Sequence, residues 1–370
     1  MEQLCQGKNN IAIVGGGPSG IYCALNMLKL FKENKFSDFK ITIFDKAQIL
    51  RTILPTGNSR CNITNATWDI DDFILNYPRG DKFLKSIFSK HFVYVSLDFF
   101  KTIGIDTYIQ PDNRIFPKSN SSKDVKDKML NALLSKNIVL KNKKIINYSE
   151  LNQFDKIVFS CGSRGVDELI NSSGHNIIPF KKALCALNVE NFNFPKGVSI
   201  SSLDGDFIFT DKGISGPLAF KISSINAYKE YPYKVLIRLF EYDDLINEIN
   251  KNSKKSIGNI VSNFVPKSFA QVFVKNYDKK AAEISKKELL SFCSLELNII
   301  SSANTGEIVN AGGVDLDEIN SNCKSKIKDN LWFCGEILNI DGFCGGFNLQ
   351  NCWSTGFVVA NDIVRSIINK

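Results

Sequence analysis

Histidine is nearly absent from this chain of 370 residues, which contains only His91 and His175. Two histidines argue against a histidine-rich metal site and leave few candidates for acid–base catalysis by imidazole. The 10 cysteines are scattered, and no two have the Cys-x-x-Cys spacing of a common metal or redox motif. We therefore predict that the chain has no metal site and that its cysteines are reduced thiols, mostly buried as small apolar side chains.

Long hydrophobic runs are also missing. No apolar segment reaches the roughly 20 residues that a membrane-spanning helix needs, and residues 1–10 lack the apolar core of a signal peptide. We therefore expect a cytoplasmic protein with no membrane association. Hydrophobic residues make up 44% of the chain and charged residues 23%, so the composition is that of an ordinary globular protein.

Acidic residues are too few to balance the basic ones, and the formal net charge is +8. Such a charge can indicate binding to nucleic acid or to an anionic membrane. The lysines, however, occur in short separate groups such as Lys143-Lys144 and Lys286-Lys287, and no aromatic side chains alternate with them as a base-stacking surface requires. The pattern favours a solvated basic surface, or a site for one anionic dinucleotide, over a nucleic-acid partner.

A glycine-rich turn near the N-terminus is the strongest local motif. The apolar run 11–14 predicts a buried strand, and the segment from Pro18 onwards has helical periodicity. Between them, Gly15, Gly17 and Gly20 form the pattern Gly-x-Gly-x-x-Gly of a dinucleotide-binding turn. The first glycine permits the tight turn, the second lets a pyrophosphate approach the backbone, and the third lets helix and strand pack closely. The free amides and the dipole of the following helix attract phosphate.

An acidic residue supports the same interpretation. Asp45 follows the second predicted strand, residues 41–44, near the ~20-residue distance from the glycine turn that is typical of the carboxylate binding the ribose hydroxyls. Because strand, helix and acid occur in this order, we predict dinucleotide binding rather than a purely structural turn. The motif does not by itself distinguish FAD from NAD.

A second glycine-rich segment lies near the other end of the chain. A short predicted strand, residues 331–333, precedes the pair Gly345-Gly346 and a predicted helix that extends to about Ile368. The glycines suit a place where the backbone passes close to a flat ligand, and the helix would direct its positive end towards that ligand. A partial positive charge there would stabilise the anionic form of a reduced flavin. The alternative is a plain glycine turn before an amphipathic helix, and periodicity does not separate the two.

Six strings of the sequence carry a more specific signal. They are Gly15–Gly20, residues 57–65 (Gly-Asn-Ser-Arg-Cys-Asn-Ile-Thr-Asn), 113–117 (Asn-Arg-Ile-Phe-Pro), 213–217 (Gly-Ile-Ser-Gly-Pro), 311–314 (Ala-Gly-Gly-Val), and 335–350, which ends in Gly-Gly-Phe-Asn-Leu-Gln. On these strings the chain resembles the BaiN/RdsA-like family of bacterial NAD(P)/FAD-dependent oxidoreductases, which includes aminoacetone oxidase-like proteins and bile-acid reductases. The similarity extends over nearly the whole chain.

The resemblance implies an α/β fold, with a Rossmann-type FAD-binding domain, an inserted β-rich domain and a small helical subdomain. The FAD-binding domain would comprise residues 1–180 and 306–370. The insert, residues 181–305, would hold the substrate or form a cap, and its helical part would span about residues 242–292. Short strand-like pieces followed by a lysine-rich helical stretch fit this division of the insert.

The resemblance also implies which residues bind FAD. The ADP half would contact Gly15, Gly17, Pro18, Ser19, Gly20, Asp45 and Lys46. The flavin side would contact Arg60, Cys61, Asn62 and Thr64, with Gly162 in the turn after a strand predicted at 157–159. The ribityl chain and the ring would lie along Gly335, Glu336, Asp341, Gly345, Gly346, Phe347, Asn348 and Leu349.

The individual polar residues leave the catalytic groups unidentified. Arg60 could bind a substrate anion, contact the flavin or support the fold through an ion pair, and we favour the flavin contact. Cys61 has no second cysteine nearby in the sequence, so it is interpreted as a packed thiol. Of the two histidines, His91 is interpreted as structural and His175 as a candidate for a pocket.

The leading hypothesis is an FAD-dependent oxidoreductase that acts on an unidentified small organic substrate. The chain contains no second Gly-x-Gly-x-x-Gly, so NADH or NADPH is expected only as a transient electron donor, and oxidation of an amine by oxygen would fit equally. Two alternatives stay open, namely a flavoprotein that modifies tRNA and a flavin-binding protein without turnover. The sequence does not indicate the oligomeric state.

Overall fold

The computed structural model of the protein describes residues 9–303 and 309–369. The chain divides into two compact units, which are residues 1–180 with 310–370, and residues 181–309. The sequence also predicts a limit after residue 180 for the start of the insert, and the domain boundaries stay predictions. The other expected limit, between residues 305 and 306, lies outside the described residues.

Short strands and helices make up the described part of the chain, and β8 to β12 follow one another without a helix between them. The strands are β1 (Asn10–Val14), β2 (Lys40–Asp45), β3 (Thr64–Asn65), β4 (Thr107–Ile109), β5 (Arg114–Pro117), β6 (Ile138–Asn142), β7 (Lys156–Phe159), β8 (Ile177–Ala183), β9 (Leu187–Val189), β10 (Ser199–Ile200), β11 (Phe207–Phe209), β12 (Gly213–Ser215), β13 (Tyr233–Arg238), β14 (Ser294–Ser302), β15 (Val309–Val314) and β16 (Leu331–Phe333). The helices are α1 (Pro18–Glu33), α2 (Thr56–Ser59), α3 (Ile70–Ile74), α4 (Asp81–Phe88), α5 (Val93–Thr102), α6 (Ser122–Ala132), α7 (Asp167–Ser172), α8 (Pro217–Ile225), α9 (Tyr242–Lys251), α10 (Ile257–Val261), α11 (Lys267–Phe273), α12 (Lys286–Phe292) and α13 (Phe347–Ile368).

A five-stranded parallel sheet forms the centre of the first unit, in the order β16-β7-β1-β2-β6. β1 lies in the middle, where Ile11 pairs with Ile41 of β2 and with Lys156 of β7. Such strands are covered on both faces, which explains the continuous apolar run in β1. The strands predicted at 11–14, 41–44, 157–159 and 331–333 are present as β1, β2, β7 and β16. The predicted α/β, Rossmann-type class is confirmed.

Helices α1 and α13 come from opposite ends of the chain and pack closely against each other. Gly356 of α13 permits this approach, because a Cβ atom there would lie 2.8 Å from the carbonyl oxygen of Ser19. Aromatic rings fill the space next to the two helices, and Trp353 lies 5.2 Å from Tyr22 and 5.1 Å from Phe100 between ring centroids. The helix pair therefore brings the N-terminal and C-terminal glycine segments into one unit.

Two smaller sheets complete the first unit and its connections. β3, β5 and β4 form a three-stranded antiparallel sheet, in which Thr64 is paired with Ile115. β8 and β15 form a two-stranded sheet.

The second unit is built on a six-stranded antiparallel sheet in the order β10-β11-β12-β9-β14-β13. Helices α9 to α12 lie between Tyr242 and Phe292, which is the stretch for which the sequence predicts a helical part. Phe209 and Phe269 belong to a separate hydrophobic core in this unit. Across residues 9–303 and 309–369, none of the helices combines the length and the hydropathy needed to span a bilayer.

Candidate functional site

The turn between β1 and α1 is built on close backbone contacts. Gly15 has a φ of +110°, and its N–H donates to the carbonyl oxygen of Phe44 at 2.8 Å. A Cβ atom at Gly15 would lie 2.4 Å from the oxygen of Ser160, directly after β7, and one at Gly20 would lie 2.1 Å from the oxygen of Gly15. Both positions therefore require glycine, for the tight turn and for the packing of helix on strand respectively.

Gly17 differs from these two glycines because the space beside it is open. It has a φ of −77° and directly precedes Pro18, the first residue of α1. The nearest atom to a Cβ built at Gly17 is Thr52 Oγ1, at 3.9 Å. No side chain caps the first turn of this 16-residue helix, so its amides and positive end are available to an anion. The opening fits the diphosphate of a dinucleotide.

Asp45 lies at the end of β2 with its carboxylate held by two backbone amides. Oδ2 accepts from the N–H of Gly16 at 2.7 Å, and Oδ1 accepts from the N–H of Ala47 at 2.8 Å. These bonds hold the carboxylate beside the glycine turn, where the acid that binds ribose hydroxyls is expected. Lys46, the next residue, lines a cleft beside this turn.

A cleft opens at the carboxyl ends of β1 and β2. Its lining residues are Val14, Gly15, Phe44, Asp45, Lys46, Lys143, Lys144, Ile145, Cys161, Arg164, Gly165, Val166 and Leu169. Four of them are cationic, which suits a ligand that carries phosphates. Ligands in open parallel sheets bind at this edge of the sheet. The charge and the position of the cleft therefore suit a dinucleotide, and its contact with the ADP half of FAD stays a prediction.

Several lining residues of the cleft were not predicted as site residues. The segments 143–145 and 164–169 join it only because β6 and β7 end beside β1 and β2. The pair Lys143-Lys144 was visible as a basic group, but no motif connects it with the glycine turn. Gly162, which was predicted, follows Cys161 with a φ of +70°, and no atom lies within 4 Å of a Cβ built there.

Gly335 connects the C-terminal segment with the first turn of α1. A Cβ atom at Gly335 would lie 2.4 Å from Ser19 Oγ, and Ser19 Oγ donates to the carbonyl oxygen of Cys334 at 3.3 Å. The N–H of Gly335 donates to Thr355 Oγ1 of α13 at 3.0 Å. Gly335 and Ser19, which are predicted to contact the cofactor, therefore lie next to each other, with Ser19 in the first turn of α1.

The start of α13 is held against β3 through the predicted glycine pair. Gly346 has a φ of +98°, and a Cβ atom there would lie 2.5 Å from the carbonyl carbon and oxygen of Thr64. With its amide oriented to satisfy its neighbours, Asn62 accepts from the N–H of Gly346 at 3.0 Å and donates to the oxygen of Thr64 at 2.9 Å. Asn65 donates to the oxygen of Gly345 at 3.0 Å. The string around residues 62–65 thus supports the glycine pair directly.

Several residues of the loop before β3 have unusual backbone conformations. Gly57, Asn58, Ser59 and Cys61 all have a φ between +58° and +63°. Conformations of this kind are costly for residues other than glycine and cluster at ligand-binding sites. Cys61 is fully buried, and burial raises the pKa of its thiol to about 12, which fits a packed thiol.

Arg60 lies inside this loop with its guanidinium group fixed by two contacts. Its Cζ lies 4.2 Å from the centroid of the Phe116 ring, and its Nε donates to the oxygen of Gly57 at 3.2 Å. Within the described part of the chain, none of the salt bridges includes Arg60. The ion-pair alternative for this residue therefore has no support here, and the flavin contact stays a prediction.

The remaining predicted residues lie in the loop before α13 and in the first turn of that helix. Asp341 is fully buried and forms an ion pair with Arg79, a residue that the sequence analysis missed. The Phe347 ring lies 4.9 Å from that of Phe73 between centroids, inside the core. The side-chain amide of Asn348 accepts from the N–H of Gly342 at 2.8 Å and donates to its oxygen at 2.7 Å, and the side chain of Leu349 packs at the edge of the core.

A buried polar network anchors the first turns of α13 and includes one of the two histidines. Gln350 accepts from Thr64 Oγ1 at 2.7 Å and donates to Ser96 Oγ at 3.0 Å, and Ser96 Oγ lies 3.1 Å from His91 Nε2. Burial lowers the pKa of His91 to about 3, so its ring is neutral and structural. His175 is also buried, and its ring nitrogens contact Ser173 and Ser325 rather than the cleft.

Glu336 is the acidic residue of the site with the strongest change in proton affinity. It directly follows Gly335 and is half-buried. Burial raises the pKa of its carboxyl to about 7, the positive charge of Arg164 acts against this rise, and the negative charge of Asp341 adds to it. Near neutral pH the carboxyl therefore exists in both protonation states and can donate as well as accept a hydrogen bond.

This raised pKa predicts a pH-dependent stability of the flavin-free protein. Between pH 4.5, the ordinary pKa, and pH 7, the folded chain binds more protons at Glu336 than the unfolded chain does, so stability falls as the pH rises. Glu336→Gln removes this loss. We expect the variant to gain about 2–3 kcal/mol over the native protein at pH 8 relative to pH 5, measured by urea unfolding. The substitution Glu168→Gln, at an exposed residue, is the control. Equal gains in stability in both variants would contradict the raised pKa of Glu336.

Comparison with protein families places these features in context. A sequence profile described as "HI0933-like protein Rossmann domain" matches residues 9–362. The chain is 26% identical to the 3-dehydro-bile acid delta(4,6)-reductase of Clostridium scindens, over 95% of this chain and 98% of that protein. It is 25% identical to the ribosomal RNA dihydrouridine synthase of Haemophilus influenzae, over 98% of this chain and 100% of that protein.

One solved structure has a comparable fold over the full length. The 3-ketosteroid delta1-dehydrogenase from Sterolibacterium denitrificans matches with a TM-score of 0.53 and 10% identity, covering 97% of this chain and 100% of the other. At this level of identity the likeness concerns the fold alone.

Proposed function

Because the chain belongs to the HI0933-like family and is an FAD-dependent oxidoreductase, we propose that it reduces a carbon–carbon double bond conjugated to a carbonyl group in a small organic substrate. Membership of this family confirms the resemblance that the sequence strings indicate. One structural observation carries the proposal. The first turns of α1 and α13 belong to one unit, and Gly335 contacts both helices, through Ser19 of α1 and Thr355 of α13, which suits one extended FAD molecule.

The names of the curated relatives favour a reductase over an oxidase. One relative is named as a delta(4,6)-reductase of a 3-dehydro-bile acid and the other as a dihydrouridine synthase. Both names describe the addition of two hydrogens to a carbon–carbon double bond near a carbonyl group. The shared reaction, rather than either substrate, is what we transfer to this chain.

The residues of the site have distinct parts in such a reaction. When bound, FAD supplies the hydride transfer itself. The amides after Gly17 would bind the diphosphate, and the carboxylate of Asp45 would accept from the ribose hydroxyls. The positive end of α13, after Gly346, would stabilise negative charge on the flavin ring. Because both protonation states of Glu336 are present near pH 7, its protonated form would donate a hydrogen bond along the cofactor.

The electron donor is proposed to be NADH or NADPH, bound transiently, because the chain has only one dinucleotide motif. The purified protein should show flavin absorption, and anaerobic NADH or NADPH should bleach it. Addition of an α,β-unsaturated ketone should then restore the absorption, while the saturated ketone of the same skeleton should not. Bleaching by amines with reoxidation only by oxygen would instead support an amine oxidase. No bleaching by any donor would support flavin binding without turnover.

A second candidate is reduction of a uridine in RNA. It is favoured by the relative named as a ribosomal RNA dihydrouridine synthase, which matches 98% of this chain, and by the net charge of +8. The same anaerobic experiment tests it, with unmodified ribosomal RNA or tRNA in place of the ketone. Reoxidation by RNA that weakens steeply with salt would support this candidate, and reoxidation by the ketone alone would exclude it.

A further inference from the structure

A short segment before α4 contacts the loop that leads into α13. We call residues 76–80 the clamp segment and residues 340–347 the α13 loop. The carbonyl oxygen of Asn76 accepts from the N–H of Phe343 at 2.8 Å. This bond ties the middle of the α13 loop to the clamp segment through backbone atoms alone.

Two further contacts of the clamp segment hold the ends of the α13 loop. The hydroxyl of Tyr77 donates to the carbonyl oxygen of Phe347 at 2.6 Å, at the first residue of α13. Gly80 has a φ of +79° and lies so close to Ile340 that a Cβ atom there would be 2.6 Å from Ile340 Cγ1. The loop is therefore held at its start, its middle and its end.

The strongest contact is an ion pair between Arg79 and Asp341. Nε and Nη2 of Arg79 each donate to one oxygen of the Asp341 carboxylate, which is the geometry of a bidentate pair. The two residues also form an isolated antiparallel bridge. The Asp341 side chain is 0% exposed and that of Arg79 is 15% exposed. A carboxylate buried to this degree depends strongly on its cationic partner.

The charge of Asp341 also acts on the residues predicted along the cofactor. Its negative charge contributes to the raised pKa of Glu336. Only three residues separate Asp341 from the pair Gly345-Gly346 at the start of α13. A change in the balance of charge at this ion pair would therefore reach the environment of the flavin.

The geometry points to Arg79 as a positioning residue for the flavin. By binding Asp341 it holds the α13 loop so that the positive end of α13 is presented to the ring, and it compensates a buried negative charge that would oppose flavin reduction. This inference rests on the binding of FAD by this unit. It does not depend on the identity of the substrate.

Charge-removing variants of the pair test the inference through the midpoint potential of the bound flavin. Arg79→Gln leaves the negative charge of Asp341 uncompensated by the guanidinium, so reduced FAD should bind about tenfold less tightly relative to oxidised FAD, which lowers the potential by about 30 mV. Asp341→Asn should raise the potential by a similar amount. The double variant should return to within about twofold of the native ratio of affinities.

The directions in which the midpoint potential shifts show whether Arg79 acts on the flavin through its charge or only supports the fold. Lys85→Gln in α4 is the matched control, since it removes one exposed cation that pairs with Asp71 and not with the α13 loop. Its potential should equal that of the native protein. Shifts of Arg79→Gln and Asp341→Asn in the same direction, or no shift in either, would overturn the inference.

Loss of FAD from the variants is also informative. Loss in both single variants with recovery in the double variant supports the pairing, whereas loss in all three shows that the pair only supports the fold. A native protein that binds no FAD at all would contradict the proposed function instead, so the two failures are distinguishable.

Discussion

Gly17→Ala is expected to weaken FAD binding by on the order of 100-fold, which corresponds to about 3 kcal/mol, while the flavin-free protein folds as before. The φ of Gly17, −77°, is ordinary for alanine, and the nearest atom to the added Cβ lies 3.9 Å away. We expect the free energy of unfolding to change by less than about 0.5 kcal/mol. The added methyl group would instead occupy the opening through which the diphosphate approaches the backbone. Titration of the flavin-free protein with FAD measures the effect.

Gly15→Ala is the matched comparison for this prediction. It adds the same methyl group two residues earlier, where φ is +110° and Ser160 O would be 2.4 Å from the Cβ. This variant should lose about 3 kcal/mol or more of folding stability, from backbone strain and overlap together. Native affinity for FAD in Gly17→Ala would show that the diphosphate does not pass this glycine. Equal loss of stability in both variants would contradict the open space at Gly17.

Gly346→Ala is expected to lose both stability and FAD binding. A Cβ atom at this position would lie 2.5 Å from the carbonyl group of Thr64, and φ is +98°. Because both atoms of the contact belong to backbone, α13 must move away from β3 to admit the methyl group. We expect a loss of about 3 kcal/mol in the free energy of unfolding, measured by urea unfolding, and FAD affinity at least about tenfold weaker.

Gly104→Ala separates the overlap at Gly346 from the strain of its conformation. Gly104 belongs to the same unit and has a φ of +79°, but no atom lies within 4 Å of a Cβ built there. It should lose only about 1 kcal/mol and keep its affinity for FAD. If the two variants were equally destabilised, the close approach of α13 to Thr64 would not be the cause.

The glycine turn and the elements around it were predictable because their requirements are local. Gly15, Gly17 and Gly20 each have a different reason to be glycine, and the structure gives each position the environment that the motif implies. The strands β1, β2, β7 and β16 were recognisable as short apolar runs. Asp45 was found because it follows one of these strands at a characteristic distance.

Other members of the site had no local signal. Lys143, Lys144 and Ile145 line the cleft because β6 lies beside β2 in the sheet. The order of strands in a sheet cannot be predicted from the residues of any one segment. Arg79 and Tyr77 hold the loop before α13 from a part of the chain that contains no motif. For the same reason Asp341 and Phe347, which were predicted to contact the cofactor, were not expected to form the ion pair and the aromatic contact that the structure shows.

The amino-acid sequence by itself determined the parallel-sheet class, the position of the glycine turn between β1 and α1 and the family to which the chain belongs, because these depend on short-range periodicity and on strings of adjacent residues. Only the tertiary structure decided which distant residues meet. The contact of Gly346 with Thr64, of Gly335 with Ser19 and of Asp341 with Arg79 each joins segments far apart in the chain. Such contacts follow from the packing of α13 on α1 and β3, and the free energy of that packing belongs to the assembled unit rather than to any single segment.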